Sequence, residues 1–173
     1  APLTTEPEKA EPPKSANSLR LTLWVLLIVY IFNFLDRQIV NILAEPIKKD
    51  LGLSDTQIGL MAGVAFAAFY TLLGIPIARY ADNPKTDRVG LIAGALVIWS
   101  AMTAVCGMAQ NFVQLLLARI GVGIGEAGCT PAAHSLIADM TEPAKRPAAM
   151  AFYALGIPIG SLLGMLIGGQ LAD

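Results

Sequence analysis

Residues 112–138 read FVQLLLARIGVGIGEAGCTPAAHSLIA, an apolar stretch that contains one arginine, Arg119, and one glutamate, Glu126. A helix needs about 20 mostly apolar residues to cross a bilayer, because each residue adds ~1.5 Å along the helix axis. The stretch is long enough and therefore predicts a membrane-spanning helix. Ionised groups are costly inside such a helix, so we expect both charges to face a partner or a water-filled cavity.

Four further stretches have the same character, at residues 21–43, 58–81, 89–109 and 148–171. Of the 173 residues, 55% are apolar and only 14% are charged, which is a membrane-protein composition. We predict an all-α membrane protein with five transmembrane helices, joined by short connections that make neighbouring helices antiparallel. The net charge of -1 and the lack of a dense basic cluster argue against a nucleic-acid partner.

Residues 1–18 are rich in proline, glutamate, lysine and alanine, with little to bury. This composition predicts a disordered cytoplasmic tail ahead of a transmembrane domain over residues 19–173. The first apolar stretch is too long for a cleaved signal peptide, so we expect it to remain in the mature protein.

The basic residues indicate the orientation of the helices. One predicted side of the membrane carries Lys9, Lys14, Arg20, Arg79, Lys85, Arg88, Lys145 and Arg146. The opposite side has only Lys48 and Lys49 outside the spans. Cytoplasmic loops carry an excess of lysine and arginine, so we predict a multi-pass protein of the cell (inner) membrane with a cytoplasmic amino terminus.

Small residues at four-residue spacing predict close helix packing in the fifth span. They are Gly156, Gly160, Gly164 and Gly168. Such a stripe lets two helix backbones approach each other, which matters where lipid competes for apolar contacts. Pro158 interrupts the stripe and, like Pro76 and Pro131, could kink its helix.

Four charges lie where charges are expensive. Arg119 and Glu126 are seven residues apart, so they lie within about 20° of each other around the helix. Asp36 and Arg37 are adjacent and diverge by about 100°, so we expect only one of them to face the cavity. We favour Asp36, as a second titratable group or as the partner of Arg119. One alternative is that Arg119 and Glu126 form an internal ion pair that holds helices together. The other is that Asp36 and Arg37 only anchor the outer part of the first span.

Several polar residues extend this candidate site. Arg119 and Arg37 would bind an anionic group of the substrate, and Asn33, Thr130 and Tyr153 could donate or accept hydrogen bonds. His134 could relay protons or form an interhelical hydrogen bond.

Sequence signatures of soluble catalysis are missing: there is no GxSxG elbow, Walker loop, HExxH or CxxC. Ser135 beside His134 is a poor catalytic pair, because adjacent helix positions diverge. Cys106 and Cys129 lie inside apolar spans and are typical of small buried side chains. We predict a protein that is not an enzyme and that has no metal site and no cofactor.

Four segments, in this order, resemble the major facilitator superfamily, and within it Spinster-type transporters. They are residues 34–37 (FLDR), 51–60 (LGLSDTQIGL), 78–82 (ARYAD) and 119–126 (RIGVGIGE). The resemblance implies twelve helices in two halves that alternate access to a central cavity. It identifies this chain as an amino-terminal portion whose partners include the remaining carboxy-terminal helices of the same protein.

The resemblance also implies residue roles. Asp82 would belong to a cytoplasmic gate with Arg79 and Arg88 as basic partners, although Ala78 stands where the family has glycine. The glycine-proline pattern of the fifth span is similar to a family motif associated with exchange or export.

The function expected from these residues is proton-coupled or facilitated transport. Asp36 and Glu126 would change protonation, while Arg119 binds the substrate anion or balances Glu126. The Spinster resemblance implies an amphipathic anion such as a lysolipid or sphingoid phosphate, and a small organic anion is the alternative. A membrane fragment that only packs with partner helices is the alternative of another class.

Overall fold

The computed structural model describes residues 16–172, and all regular structure in this range is helical. The α-helices are α1 (Ala16–Ile42), α2 (Ala44–Leu51), α3 (Asp55–Gly59), α4 (Phe66–Ala81), α5 (Arg88–Gly107), α6 (Phe112–Met140), α7 (Arg146–Ala154) and α8 (Gly156–Ala172). A π-helical segment, Leu60–Ala65, joins α3 to α4 without a break.

Five helical stretches are long and apolar enough to cross a membrane, which confirms the predicted fold class. The spans are Asn17–Ile42, Asp55–Ala81, Arg88–Gly107, Phe112–Met140 and Arg146–Leu171. The tail predicted for residues 1–18 lies mostly outside the described residues, and α1 already includes residues 16–18.

A short amphipathic helix, α2, connects the first two spans on the side opposite the predicted cytoplasm. It ends at Gly52, whose φ of 62° is left-handed and favours glycine. Ser54 then starts α3 with a capping box, in which its side chain accepts from the Gln57 amide and the Gln57 side chain accepts from the Ser54 amide. The segment LGLSDTQIGL therefore contains the end of α2 and the beginning of α3.

The fourth span, α6, lies at the centre of the bundle. Of its most apolar window, 56% is buried, against 11–22% in the other four spans. It packs against both α4 and α5, and its backbone lies close to that of α5 at Gly125, where an added Cβ would lie 2.6 Å from the Trp99 backbone nitrogen. Large apolar side chains on the outer faces of the other spans stay exposed, as expected for contact with lipid.

The first span packs along α8 through the glycine stripe. A Cβ at Gly160 would lie 2.4 Å from the Ile31 carbonyl oxygen, and one at Gly156 would lie 2.8 Å from Tyr30. Gly164 and Gly168 meet the next two turns of α1 in the same way. The bundle thus contains two closely packed units, α1 with α8 and α6 with α4 and α5.

The fifth span is interrupted at Leu155, between α7 and α8. Pro158 follows three residues later and has no amide hydrogen to donate to the Ala154 carbonyl, and its ring would crowd that carbonyl in a regular helix. By contrast, Pro76 and Pro131 lie inside continuous helices.

We expect Gly160→Ala to weaken the contact between α1 and α8, at a cost of about 1–3 kcal/mol for overpacking. Gly169→Ala is the matched control, because a Cβ there meets nothing within 4 Å and alanine favours helix formation. The measurement is the melting temperature of each variant in detergent, and equal values for both would contradict this packing.

Candidate functional site

Two ion pairs join the first span to the fourth. Nε and Nη2 of Arg37 lie 2.8 Å and 2.7 Å from the same carboxylate oxygen of Glu126, Oε2. Nη1 of Arg119 lies 3.8 Å from Oδ2 of Asp36. We call these four side chains the charge cluster.

The charge cluster links the two packed units of the bundle. Backbone contacts between α1 and α6 are sparse compared with those of α1 to α8 or α6 to α5. Leu26 of α1 shares a buried apolar cluster with residues of α6. Both ion pairs also run from α1 to α6, so polar side chains reinforce this connection. A polar connection of this kind can be broken by moving a proton or by offering another charged partner.

The charge cluster is largely withdrawn from solvent. Glu126 is 0% exposed, and the side chains of Arg119, Asp36 and Arg37 are 4%, 16% and 28% exposed. Among the described residues, Oε1 of Glu126 and Nε of Arg119 have no hydrogen-bond partner. Buried ionised groups need partners to offset lost hydration, so the cluster has capacity for a further polar ligand.

Aromatic rings surround the two guanidinium groups. The Arg37 guanidinium carbon lies 4.9 Å from the ring centres of both Phe66 and Tyr70 and 5.5 Å from that of Phe34. The Arg119 guanidinium carbon lies 5.1 Å from the ring centre of Phe66. Both arginines therefore lie at cation–π distance from the same phenylalanine.

Both arginines also line one cavity of about 330 Å³, which we call the arginine cavity. Its other lining residues are Asn41, Ala62, Gly63, Phe66, Ala67, Tyr70 and Thr71. All of these except Asn41 belong to the second span, where they recur every four residues. An anion in this cavity would meet two positive charges together with hydroxyl and amide groups.

Asp36 faces the third span. Its Oδ2 accepts hydrogen bonds from the indole Nε1 of Trp99, at 3.3 Å, and from the hydroxyl of Thr103, at 3.4 Å. These residues line a second cavity of about 410 Å³ that is otherwise mostly apolar, with Val29, Phe32, Leu35 and Leu96 among its walls.

Of the Asp36–Arg37 pair, only Arg37 lines the arginine cavity, whereas Asp36, the residue that we favoured, lines the second cavity. The two side chains do diverge, with Asp36 towards α5 and Arg37 towards α4, but α6 lies between those helices and is reached from both directions. The pairing of Glu126 with Arg119, one of the expected roles for that arginine, is also not found in this conformation. Glu126 is instead bound by Arg37, whose long side chain spans the gap.

Three other predicted site residues form a separate group between α6 and α7. The Tyr153 ring stacks on Tyr30 at 4.2 Å, and His134 meets Tyr153 edge-on at 5.5 Å. Thr130 lies near the Tyr153 hydroxyl. Asn33 is buried on α1, and its Nδ2 has no hydrogen-bond partner among the described residues.

The predicted gate residues are arranged differently from expectation. Arg88 donates to the Ala81 carbonyl, at 2.8 Å, and forms an ion pair with Asp139 at the end of α6. It does not pair with Asp82, which is exposed at the end of α4, and Arg79 is exposed as well. Arg88 begins α5, which packs along α6, so its guanidinium reaches an acid on α6.

Sequence reasoning missed Phe66, Tyr70, Trp99 and Thr103, which contact the charge cluster. Phe66 and Tyr70 are four residues apart, and so are Trp99 and Thr103, so each pair shares one helix face. That spacing was visible in the sequence, but it is equally typical of ordinary helix packing.

We expect Arg37→Met to lower the free energy of unfolding by about 3–5 kcal/mol, because the Glu126 carboxylate is left buried and unpaired. Adding Glu126→Gln in the same chain should restore much of the loss. Thermal unfolding of the two single variants and the double variant measures this coupling. Lys145→Met is the control, since its exposed pair with Glu142 contributes little; an Arg37→Met loss as small as that of the control would refute the pairing.

Comparison with known proteins places this geometry in a family. The sequence model of the Major Facilitator Superfamily matches residues 26–173. An MFS-type efflux pump of Mycolicibacterium smegmatis (strain ATCC 700084 / mc(2)155) is 45% identical over 149 residues, which are 86% of this chain and 34% of that protein. A probable L-galactonate transporter of Escherichia coli (strain K12) is 35% identical over 136 residues, 79% of this chain and 29% of that protein.

A solved structure is similar in both sequence and fold. It is the crystal structure of a bacterial homolog of the human lysosomal transporter Spinster, in an inward-facing and unoccupied conformation, with a TM-score of 0.86 and 44% identity. The match covers 91% of this chain and 33% of that one. The chain spans about a third of the length of the curated relatives it matches. It is a multi-pass membrane protein that belongs to the Major Facilitator Superfamily and, within it, is of the Spinster type.

Proposed function

We propose that the complete protein is a proton-coupled secondary transporter of an organic anion. Asp36 and Glu126 exchange protons, and Arg37 and Arg119 receive the anionic group. The observation that supports this most is the pairing of each arginine with one carboxylate at the edge of a cavity that both arginines line.

The coupling follows from charge compensation. When Glu126 takes up a proton, Arg37 loses its counter-charge in a poorly hydrated site, where an unpaired ion costs several kcal/mol, roughly 3–5 kcal/mol. An anion that enters the arginine cavity supplies the missing charge. Proton and anion therefore favour each other's binding, and the effect is reciprocal because it is a coupling free energy.

Asp36 and Arg119 repeat this arrangement on the other side of α6. Protonation of Asp36 releases Arg119, while the hydrogen bonds from Trp99 and Thr103 can remain with the neutral acid. Asn33, Thr130, His134 and Tyr153, on the first, fourth and fifth spans, contribute hydrogen bonds to the substrate or relay protons.

The remaining roles concern access to the cavity. Arg88 and Asp139 hold the ends of the third and fourth spans together, while Arg79 and Asp82 are exposed and available to other helices of the transporter. We assign this end to the cytoplasm and place the protein in the cell (inner) membrane with a cytoplasmic amino terminus, because of the excess of basic residues on that side.

Two substrate classes share the required anionic group. An amphipathic anion such as a lysolipid or sphingoid phosphate needs an apolar surface, and the cavity beside Asp36 offers one. A small organic anion needs polar partners, and Asn41, Tyr70 and Thr71 in the arginine cavity offer these. The relative described as a probable L-galactonate transporter supports the second class.

Sphingosine phosphate and L-galactonate distinguish the two classes when binding to the complete protein is measured. For the probe that binds, Arg119→Ala should weaken binding by about 30-fold or more, since a charge-assisted contact contributes roughly 2 kcal/mol. Arg119→Lys should weaken binding less than Arg119→Ala, because lysine keeps the positive charge and lacks only the planar set of hydrogen-bond donors of the guanidinium group. Arg20→Ala, at an exposed arginine, is the control, and binding of neither anion would refute the assignment of Arg119.

Glu126→Gln should abolish accumulation of the substrate driven by a pH gradient in proteoliposomes of the complete protein. Glutamine keeps the size of the side chain but cannot exchange a proton. Exchange of labelled for unlabelled substrate across the membrane should continue, because it requires no net proton movement. Glu142→Gln, at an exposed acid beyond the end of α6, is the control. Gradient-driven accumulation at the normal rate in Glu126→Gln would rule out the coupling role of Glu126.

A further inference from the structure

One ring, Phe66, contacts both arginines of the charge cluster. Its centre lies 4.9 Å from the guanidinium carbon of Arg37 and 5.1 Å from that of Arg119. We propose that Phe66 is a positioning residue, whose ring holds both guanidinium groups at the wall of the arginine cavity when their carboxylate partners are protonated. This inference rests on the proposed function, since it concerns how that site keeps its cations in place.

The fold constrains the position of this ring. Phe66 is 8% exposed and directly follows the π-helical segment Leu60–Ala65. A π-helical turn has more residues than an α-helical turn, so it changes the direction in which all later side chains of the span point. Tyr70, one turn further on, stacks on Phe66 at 5.9 Å, and the ring abuts Gly123 of α6, where a Cβ would lie 3.3 Å away.

The aromatic ring of Phe66 is chemically suited to hold guanidinium groups. A guanidinium that loses its carboxylate in an apolar span needs another electron-rich partner, and the face of an aromatic ring supplies one without carrying a charge. A carboxylate in this place would compete with the substrate anion for the arginines, whereas a neutral ring does not. Phe66 can thus hold both cations while leaving their outer hydrogen-bond donors free for the anion.

Packing alone does not account for this arrangement. An aliphatic side chain of similar volume could fill the space between α4 and α6, but it would offer nothing to two desolvated cations. Phe69, three residues later on the same helix, is 38% exposed, and no cation–π contact to it is seen among the described residues. The two phenylalanines therefore form a matched pair for experiment.

Fluorinated phenylalanines separate the electrostatic role of the ring from its shape. Replacing Phe66 in the complete protein by its mono-, di- and trifluoro analogues weakens the negative face of the ring in steps and changes its volume little. The reaction of Arg37 with phenylglyoxal, followed by mass spectrometry, reports how firmly this guanidinium is held. We expect the modification rate to rise with each fluorine at position 66 and to stay constant for the same series at Phe69. A rate that does not depend on fluorine content at position 66 would overturn the proposal.

A second readout uses L-galactonate and sphingosine phosphate as probes. For the transported probe, KM should rise about tenfold across the fluorine series, the size expected of desolvated cation–π contacts, while kcat changes little. A constant KM in a protein that still transports would refute the role of Phe66 and leave the proposed function intact. If neither probe is transported, the phenylglyoxal series still decides, because a graded rate supports the positioning role of Phe66 and a flat rate refutes it.

Discussion

A buried carboxylate must be compensated, and in this bundle Glu126 is compensated by Arg37 across the interface between the first and fourth spans. The rest of the arrangement depends on this contact, because α1 is packed closely on α8 and α6 is packed closely on α4 and α5. Within each unit, glycines bring backbones together and most contacts are apolar. Between the units, the two ion pairs add to an apolar contact through Leu26, and in the proposed mechanism these ion pairs depend on protonation.

This division suits a protein that has to change shape while staying in lipid. Apolar packing between helices is insensitive to pH and to solutes, so it keeps each unit intact. An ion pair between the units responds to both, because a proton removes one partner and an anion can replace it. The interruption of the fifth span before Pro158 gives the α1 and α8 unit a point at which it can bend next to Tyr153. In the proposed mechanism, a local change of charge thereby becomes a movement of helices.

Aromatic residues complete the charge cluster without adding charge. Phe34, Phe66 and Tyr70 lie around Arg37, and Trp99 donates to Asp36. The charge cluster is largely withdrawn from solvent, so in the proposed mechanism neutral partners of this kind lower the free-energy cost of an arginine whose carboxylate partner is protonated. Phe66 and Tyr70 belong to the second span and Trp99 to the third, so four of the five spans contribute to one site.

The sequence by itself determined the number and approximate bounds of the spans, since apolar stretches of bilayer length have few alternatives to helices in lipid. It also determined that Arg119 and Glu126 share a face of α6, because helix periodicity fixes the angle between positions seven apart. Helix periodicity does not identify neighbours on other helices. For this reason the sequence allowed an ion pair between Arg119 and Glu126, and the family resemblance suggested one between Arg88 and Asp82. Only the tertiary structure decided that Arg37 reaches Glu126, that Arg88 reaches Asp139 and that one phenylalanine serves two arginines. These contacts join residues up to 89 positions apart, and their geometry depends on how whole helices pack.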